Sequence, residues 1–249
     1  MYSESWTEIE EKYLEREYQR LNIHEIMKHL SRSKSSIYNK AYKLEITKKT
    51  DPNLSPSPVL AYILGVLKGD GWISNTKRSG EKKNYYRYFV HLQVADLEFA
   101  QEFKESLIRL GLNPLLEKYY RKEWRQGFFW RVSAHSKKFV NWYKNLGIEN
   151  IEKIAEQYPE SFVRGFYDSE GCLVKADRRR YIQFSNTDES TICLVRKLIG
   201  KIGFRVSLRA YWRKHIAKKE YSLFILGGTK ESKRFLSKIN PSIQRKVAY

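Results

Sequence analysis

Asp70 precedes Gly71, and 100 positions later Glu170 precedes Gly171. Each acid closes a related decapeptide, Tyr62-Ile63-Leu64-Gly65-Val66-Leu67-Lys68-Gly69-Asp70-Gly71 and Phe162-Val163-Arg164-Gly165-Phe166-Tyr167-Asp168-Ser169-Glu170-Gly171. Small residues recur at every fourth position, Ala61, Gly65 and Gly69 in one copy, Ser161, Gly165 and Ser169 in the other. That spacing lines one stripe of a helix, and small residues there let two helix backbones approach closely. The two helices are therefore expected to pack on each other, with Gly71 and Gly171 at the C′ positions that end them. Asp70 and Glu170 would then lie at adjacent helix C-termini, where each meets the negative end of a helix dipole and the two repel. A divalent cation between them removes both conflicts. Hard oxygen ligands on a basic chain point to Mg²⁺, which keeps waters and takes substrate phosphate. Two or more such ions can activate water and stabilise the leaving oxygen in phosphodiester hydrolysis.

The rest of the composition agrees with a polyanionic partner. Lys and Arg number 47 against 28 Asp and Glu, a formal charge of +19. Neutralising phosphates releases counterions and supplies affinity, so double-stranded DNA is the expected partner. The longest uncharged run, residues 52–67, is too short to span a membrane, and no basic amphipathic helix offers a membrane surface anchor. The start of the chain lacks a secretory pattern. An intracellular protein of cytoplasm or nucleoid is expected. Two cysteines and five unclustered histidines give no zinc spacing.

The elements that must hold the acids also come twice. After each decapeptide come alternating segments, a helical stretch closing at glycine, basic-aromatic strands, an apolar strand and a last helix. The reading per copy is αββαββα with hairpin-paired antiparallel strands, an α+β fold of two pseudo-symmetric repeats over residues 58–150 and 151–249. Residues 47–57, punctuated by Pro52 and Pro56, read as a linker.

Residues 1–46 read as three helices, the first opened by a capping box from Thr7 to Glu10. The tight turn before the third helix is helix-turn-helix geometry. Charge divides within this region: residues 1–26 carry seven acidic and three basic groups, residues 27–50 one acidic and seven basic. Lys34, Tyr38, Lys40 and Lys43 lie on the positive half and are expected to grip DNA. Trp6-Thr7 with Glu10 ahead of such helices resembles Myb/SANT-type domains.

The two decapeptides and the repeat order resemble a monomeric, two-motif LAGLIDADG homing endonuclease. The resemblance implies a saddle of antiparallel sheets over a long, poorly symmetric DNA target. It implies paired helices carrying one essential acid each, one acid per strand, and Mg²⁺-dependent cleavage leaving short 3′ overhangs, with Mn²⁺ able to substitute. Asp70 and Glu170 match the essential acids, and the carbonyls of Gly69 and Ser169 match positions that assist the metals. Gln93 matches a polar active-site position whose counterpart is Ser185 or Asn186. A basic residue near each site is expected, with Lys175 the candidate in the second copy and several lysines competing in the first. The resemblance also implies a free-standing, intron-encoded monomer, since the chain ends offer no intein chemistry.

Strands alternate faces, so Arg87, Phe89 and His91 share one face. Candidates for DNA contact on the repeats are Lys82, Arg87, Arg121, Arg125, Arg178, Arg180, Arg209 and Arg213. Two other functions fit the same fold, an RNA maturase acting on its host intron RNA and a catalytically silent DNA-binding regulator. A binding-only protein has no use for two repelling acids.

Overall fold

A computed structural model describes residues 5–18, 21, 23–44, 46, 51–77, 86–120, 127–176, 179–213 and 217–247. The chain divides into two units, Met1–Thr50 and Asp51–Tyr249.

In the first unit, α1 (Glu8–Glu17), α2 (Ile23–Leu30) and α3 (Lys34–Lys43) enclose Leu14, Ile26, Ile37 and Ala41. The capping box forms: the Glu10 N–H donates to Thr7 Oγ1 at 3.3 Å and the Thr7 N–H to Glu10 Oε2 at 2.8 Å. Ser31, at φ 51°, makes the left-handed bend between α2 and α3. Arg32 lies over the Trp6 ring at 5.1 Å and bonds Glu10 at 3.0 Å, tying the turn to α1.

The second unit begins earlier than its proline content implies. Residues 51–57, read as linker, are bonded to it. The Asn53 N–H donates to the Leu110 carbonyl at 2.8 Å, Lys138 to Asp51 at 2.5 Å, and Pro52 is buried. The prolines stiffen an extended segment that packs. α4 (Pro58–Leu67) follows, capped by Ser57 and started by its proline. Then come β1 (Trp72–Lys77), β2 (Tyr86–Val94), α5 (Leu97–Arg109), β3 (Pro114–Tyr120), β4 (Phe128–His135) and α6 (Lys137–Lys144). The second copy is α8 (Pro159–Glu170), β5 (Gly171–Ala176), β6 (Arg179–Asn186), α9 (Glu189–Lys201), β7 (Val206–Arg213), β8 (Lys218–Ile225) and α10 (Gly228–Ile239). The order αββαββα thus occurs twice, with an additional helix α7 (Ile148–Gln157) between the copies. A 3₁₀ turn, Gln244–Lys246, ends the described chain.

The strands make two four-stranded antiparallel sheets, ordered β1-β2-β4-β3 and β5-β6-β8-β7. Each sheet buries one face: Val90, Leu92, Val132 and Ala134 in the first, Ile182, Phe184, Leu223 and Ile225 in the second. Arg87, Phe89, His91 and Gln93 therefore line the opposite, open face of the first sheet.

Leu60 to Leu67 are all buried, as a helix enclosed on every side requires. A Cβ added at Gly69 would lie 2.4 Å from the Ser169 Cβ, so the small-residue stripes of α4 and α8 do face each other. The closing glycines do end the helices, the Gly71 N–H donating to the Val66 carbonyl at 2.9 Å and Gly171 capping α8, but not in the left-handed C′ form. Neither has positive φ, and Gly171 is extended at φ −81°, ψ 148°. What Gly171 supplies is room, since a Cβ there would lie 2.0 Å from the Tyr167 ring.

Candidate functional site

The two helices end differently. α4 stops at Leu67 and Asp70 follows in a turn, whereas Glu170 is the last residue of α8. They still converge: a Cβ at Gly69, beside Asp70, would lie 3.1 Å from the Glu170 Cγ. Burial, then the Asp70 charge, push Glu170 up to about 7, against the pull of Lys246 and the Asn186 amide. Asp70 keeps solvent access, yet the protein packed around its carboxyl also raises it; Lys246 opposes that rise and Asp96 reinforces it. For Glu170 this is the mark of a carboxylate brought against another without enough positive charge, while for Asp70 burial leads and Asp96 is the carboxylate that adds to it. The donor set fits a hard divalent cation: two carboxylates, with the Gly69 carbonyl beside Asp70, whereas the Ser169 carbonyl expected to assist already accepts a bond from Lys246 Nζ at 3.2 Å. Among the described residues no cluster of three or more His, Cys, Asp or Glu assembles a metal cage, so water and phosphate would complete any shell.

Asn186 connects the helix ends. Its Nδ2 donates to Glu170 Oε1 at 3.0 Å and to the Lys68 carbonyl at 3.5 Å, while its Oδ1 accepts the Asp188 N–H at 2.8 Å. Sheet register decides which residue pairs with Gln93. Trp72 faces His91 and Gly171 faces Phe184, and the helices that follow start from Asp96 and Asp188. Both relations match Gln93 to Ser185, so Asn186 reaches Glu170 from the neighbouring position, the one Val94 holds in the first copy.

Gln93 lies on the open face and accepts a bond from Arg131 Nη2 at 3.0 Å. Arg131 also stacks over Tyr119 at 4.3 Å, and its buried Nε has no hydrogen-bond partner. This cation of the first repeat is not apparent from sequence; cross-strand pairing of β2 with β4 reveals it. Nearby, His91 bonds the Ser74 and Ser133 hydroxyls at 2.9 Å each and stacks on Trp72. Burial, then Arg131, lower its pKa.

Lys175 does not join the acids. It is four residues beyond Gly171 along β5, about 13 Å at ordinary strand rise, and it pairs with Arg180 on the face that carries Leu173 and Ile182. Arg180 thus belongs to the helix-covered side, where its backbone N–H bonds Thr229. Among the described residues a lysine that does approach the acids is Lys246, past the last helix of the second repeat, and no motif or spacing marks it. Arg87 and Arg209 are exposed on the open faces, Arg209 over the Phe224 ring at 5.2 Å. Arg213 is on the open face too, but it is paired with the buried Glu220 at 2.8 Å. A polar recess of about 290 Å³ there is lined by Glu170, Ser185, Asn186, Thr187, Arg213 and Glu220. Lys82, Arg121, Arg125 and Arg178 lie outside the described residues.

In the first unit, Lys34, Tyr38 and Lys43 are exposed along α3, with Tyr42 between them. Lys40 turns inward, paired with Glu11 and set over Trp6. No helix among the described residues is long and apolar enough to cross a membrane.

A family model described as a LAGLIDADG-like domain matches residues 57–147 and again residues 157–240. An uncharacterized protein of Methanocaldococcus jannaschii is 34% identical over 200 residues, 79% of this chain and 66% of that protein; this chain thus spans just under two thirds of its relative. Among solved structures, the homing endonuclease I-DmoI in complex with DNA and Mn has a TM-score of 0.54 at 19% identity, over 73% of this chain and 96% of that one. Full-length WhiA from Thermatoga maritima has a TM-score of 0.51 at 16% identity, over 82% of this chain and 62% of that one. At these identities the likeness to solved structures is one of fold.

Proposed function

The chain belongs to the family of LAGLIDADG-like domains, with one copy in each repeat, and from that premise we propose that it is a site-specific endonuclease that makes a metal-dependent double-strand break in DNA. The observation that carries this reading is the meeting of Asp70 and Glu170 at the ends of α4 and α8, both raised in pKa by burial. A binding-only protein gains nothing from that arrangement. The I-DmoI structure with DNA and Mn supports DNA as substrate and a divalent ion as cofactor.

Mg²⁺ bound between the acids would supply an activated water and stabilise the leaving oxygen. The chain's own residues do the rest. Asp70 and Glu170 would hold the ions, each serving one strand. Asn186 orients Glu170 from its Nδ2, and Arg131 fixes the Gln93 amide so that its NH₂ group points away from the guanidinium. The open sheet faces lie along the duplex, with Arg87 and Arg209 placed for phosphate or guanine. The first unit, read as a helix-turn-helix module, would present the exposed stripe of Lys34, Tyr38, Tyr42 and Lys43 to a groove or to phosphates.

The test is incubation of the wild-type protein with DNA joining the flanks of its own gene, with Mg²⁺ or with chelator. A Mg²⁺-dependent double-strand break with short 3′ overhangs supports the reading. Tight binding of that DNA without any cut in Mg²⁺ or Mn²⁺ would mean a regulator of the same fold.

A further inference from the structure

The chain continues past α10, the last helix of the second repeat, and this tail returns to the acids. After α10, Asn240 adopts φ 46° and the backbone reverses. The Ser242 N–H donates to Asp168 Oδ1 at 2.9 Å, and Ile243 is buried. Arg245 then reaches the first repeat, donating to both carboxylate oxygens of Asp96 at 2.6 Å. Lys246 reaches the second. Its ammonium is buried and donates to the carbonyls of Tyr167, Asp168 and Ser169 at 3.1, 2.6 and 3.2 Å. The Tyr167 hydroxyl returns a bond to the Lys246 carbonyl at 3.0 Å.

An ammonium has three donors and no acceptor. Here all three are spent on the last carbonyls of α8, the negative end of that helix. The hydrogen bonds are satisfied by neutral groups, so the positive charge remains to act on the carboxylates around it. Among the described residues no cation bonds the end of α4: the Leu67 carbonyl takes a bond from the Tyr143 hydroxyl at 3.4 Å and the Lys68 carbonyl from Asn186 at 3.5 Å. The last turn of α8 is thus clamped by a cation, while the charge of Lys246 bears on both acids. Asp168, which stands where the first copy has Lys68, also acquires a purpose. It is buried and fastens both the tail, through Ser242, and α4, through the Tyr62 hydroxyl at 3.1 Å.

We propose that the C-terminal tail is a strap across the two repeats and that Lys246 is a positioning residue for the second acid, holding the last turn of α8 and offsetting by its charge the repulsion between Glu170 and Asp70. The inference rests on the reading of these acids as the working pair. It makes the clean cut of the Glu170-dependent strand depend on a residue that lies beyond α10.

Lys246→Gln separates clamp from charge, because the amide can still donate two bonds to the carbonyls but carries no charge. The first arm is metal-free melting at a pH just above 7, where Glu170 is ionised and the Lys246 ammonium, lowered by burial, keeps its charge. Glu170→Gln should raise the melting temperature more in the Lys246→Gln background than in the wild-type background, and it should restore folding if Lys246→Gln alone does not fold. The second arm is strand-resolved cleavage, with Glu170→Gln identifying the strand that Glu170 serves. Lys246→Gln should slow that strand roughly tenfold or more relative to the wild-type protein, and Lys246→Arg, which keeps the charge, should recover most of the loss. A Glu170→Gln shift equal in both backgrounds, or a wild-type rate on that strand in Lys246→Gln, would overturn the proposal and leave the tail a purely structural brace. If the wild-type protein cuts no DNA, the nuclease reading has failed instead, and the melting arm still judges the role of Lys246.

Discussion

Gly65 and Gly165 each lie against the backbone of the other's helix: a Cβ on Gly65 would sit 2.2 Å from the Phe162 carbonyl oxygen, and one on Gly165 2.2 Å from the Tyr62 carbonyl oxygen. Tyr62 and Phe162 hold the same place in the two decapeptides, so the contact is reciprocal about a pseudo-two-fold axis. It brings the helix ends, and with them Asp70 and Glu170, together. The obstructing atoms are backbone and cannot turn aside. Gly65→Ala or Gly165→Ala should therefore cost about 1–3 kcal/mol or more by overpacking, read as a lower denaturant midpoint. Cleavage should fall with it as the acids separate. Unchanged stability and activity in either variant would remove the close helix contact from the account.

Glu170 makes the metal-free protein sensitive to pH in an unusual direction. Its folded pKa, about 7, lies above the ordinary carboxyl value of 4.5. Between those values the native state holds the proton more tightly than the unfolded chain. The resulting stability is fully present below the unfolded value and is lost as pH rises through the folded one. In chelator, the melting temperature should fall as pH goes from about 4.5 to about 7, and Glu170→Gln should flatten that decline. Mg²⁺ should flatten it too, by replacing the proton, and cleavage should rise over the same range. A metal-free melting temperature that climbs through this window in wild type alone, relative to Glu170→Gln, would contradict the assignment.

The first unit is predicted to add affinity without taking part in the chemistry. A protein starting at Asp51 keeps the segment that packs on the second unit, including Pro52 and the Asn53 bond to Leu110. It should cut with the same overhang. Its affinity should be weaker, its salt dependence shallower and its footprint shorter at one end. A footprint identical to that of the full chain would show that α3 does not touch DNA.

How much of this was legible in the sequence depended on whether local spacing or distant folding set each feature. Asp70, Glu170 and the small-residue stripes were readable because duplication repeats a rule-breaking pattern at matched places. The order αββαββα followed from the same duplication, while α7 had no counterpart to announce it. Faces were harder. Lys175 and Arg180 are basic and near the right segment, but strand parity turns both toward the helix-covered side. The same one-residue precision separates Ser185, the register partner of Gln93, from Asn186, which touches Glu170. Prolines at 52 and 56 read as a linker because composition reports stiffness and not contact. Lys246 was illegible in principle: only the reversal after α10 brings it beneath α8, and nothing in its neighbours' types foretells that.

The central claim is that Asp70 and Glu170 form one metal-dependent centre with one acid for each strand. Strand-resolved cleavage of a target duplex by wild type, Asp70→Asn and Glu170→Gln in Mg²⁺, alongside binding of the same duplex in Ca²⁺, measures it most directly. The account predicts a double-strand break from wild type, loss of that break in both variants with binding largely intact, and any residual nick on opposite strands in the two variants. Wild-type cleavage of both strands by either variant would contradict it.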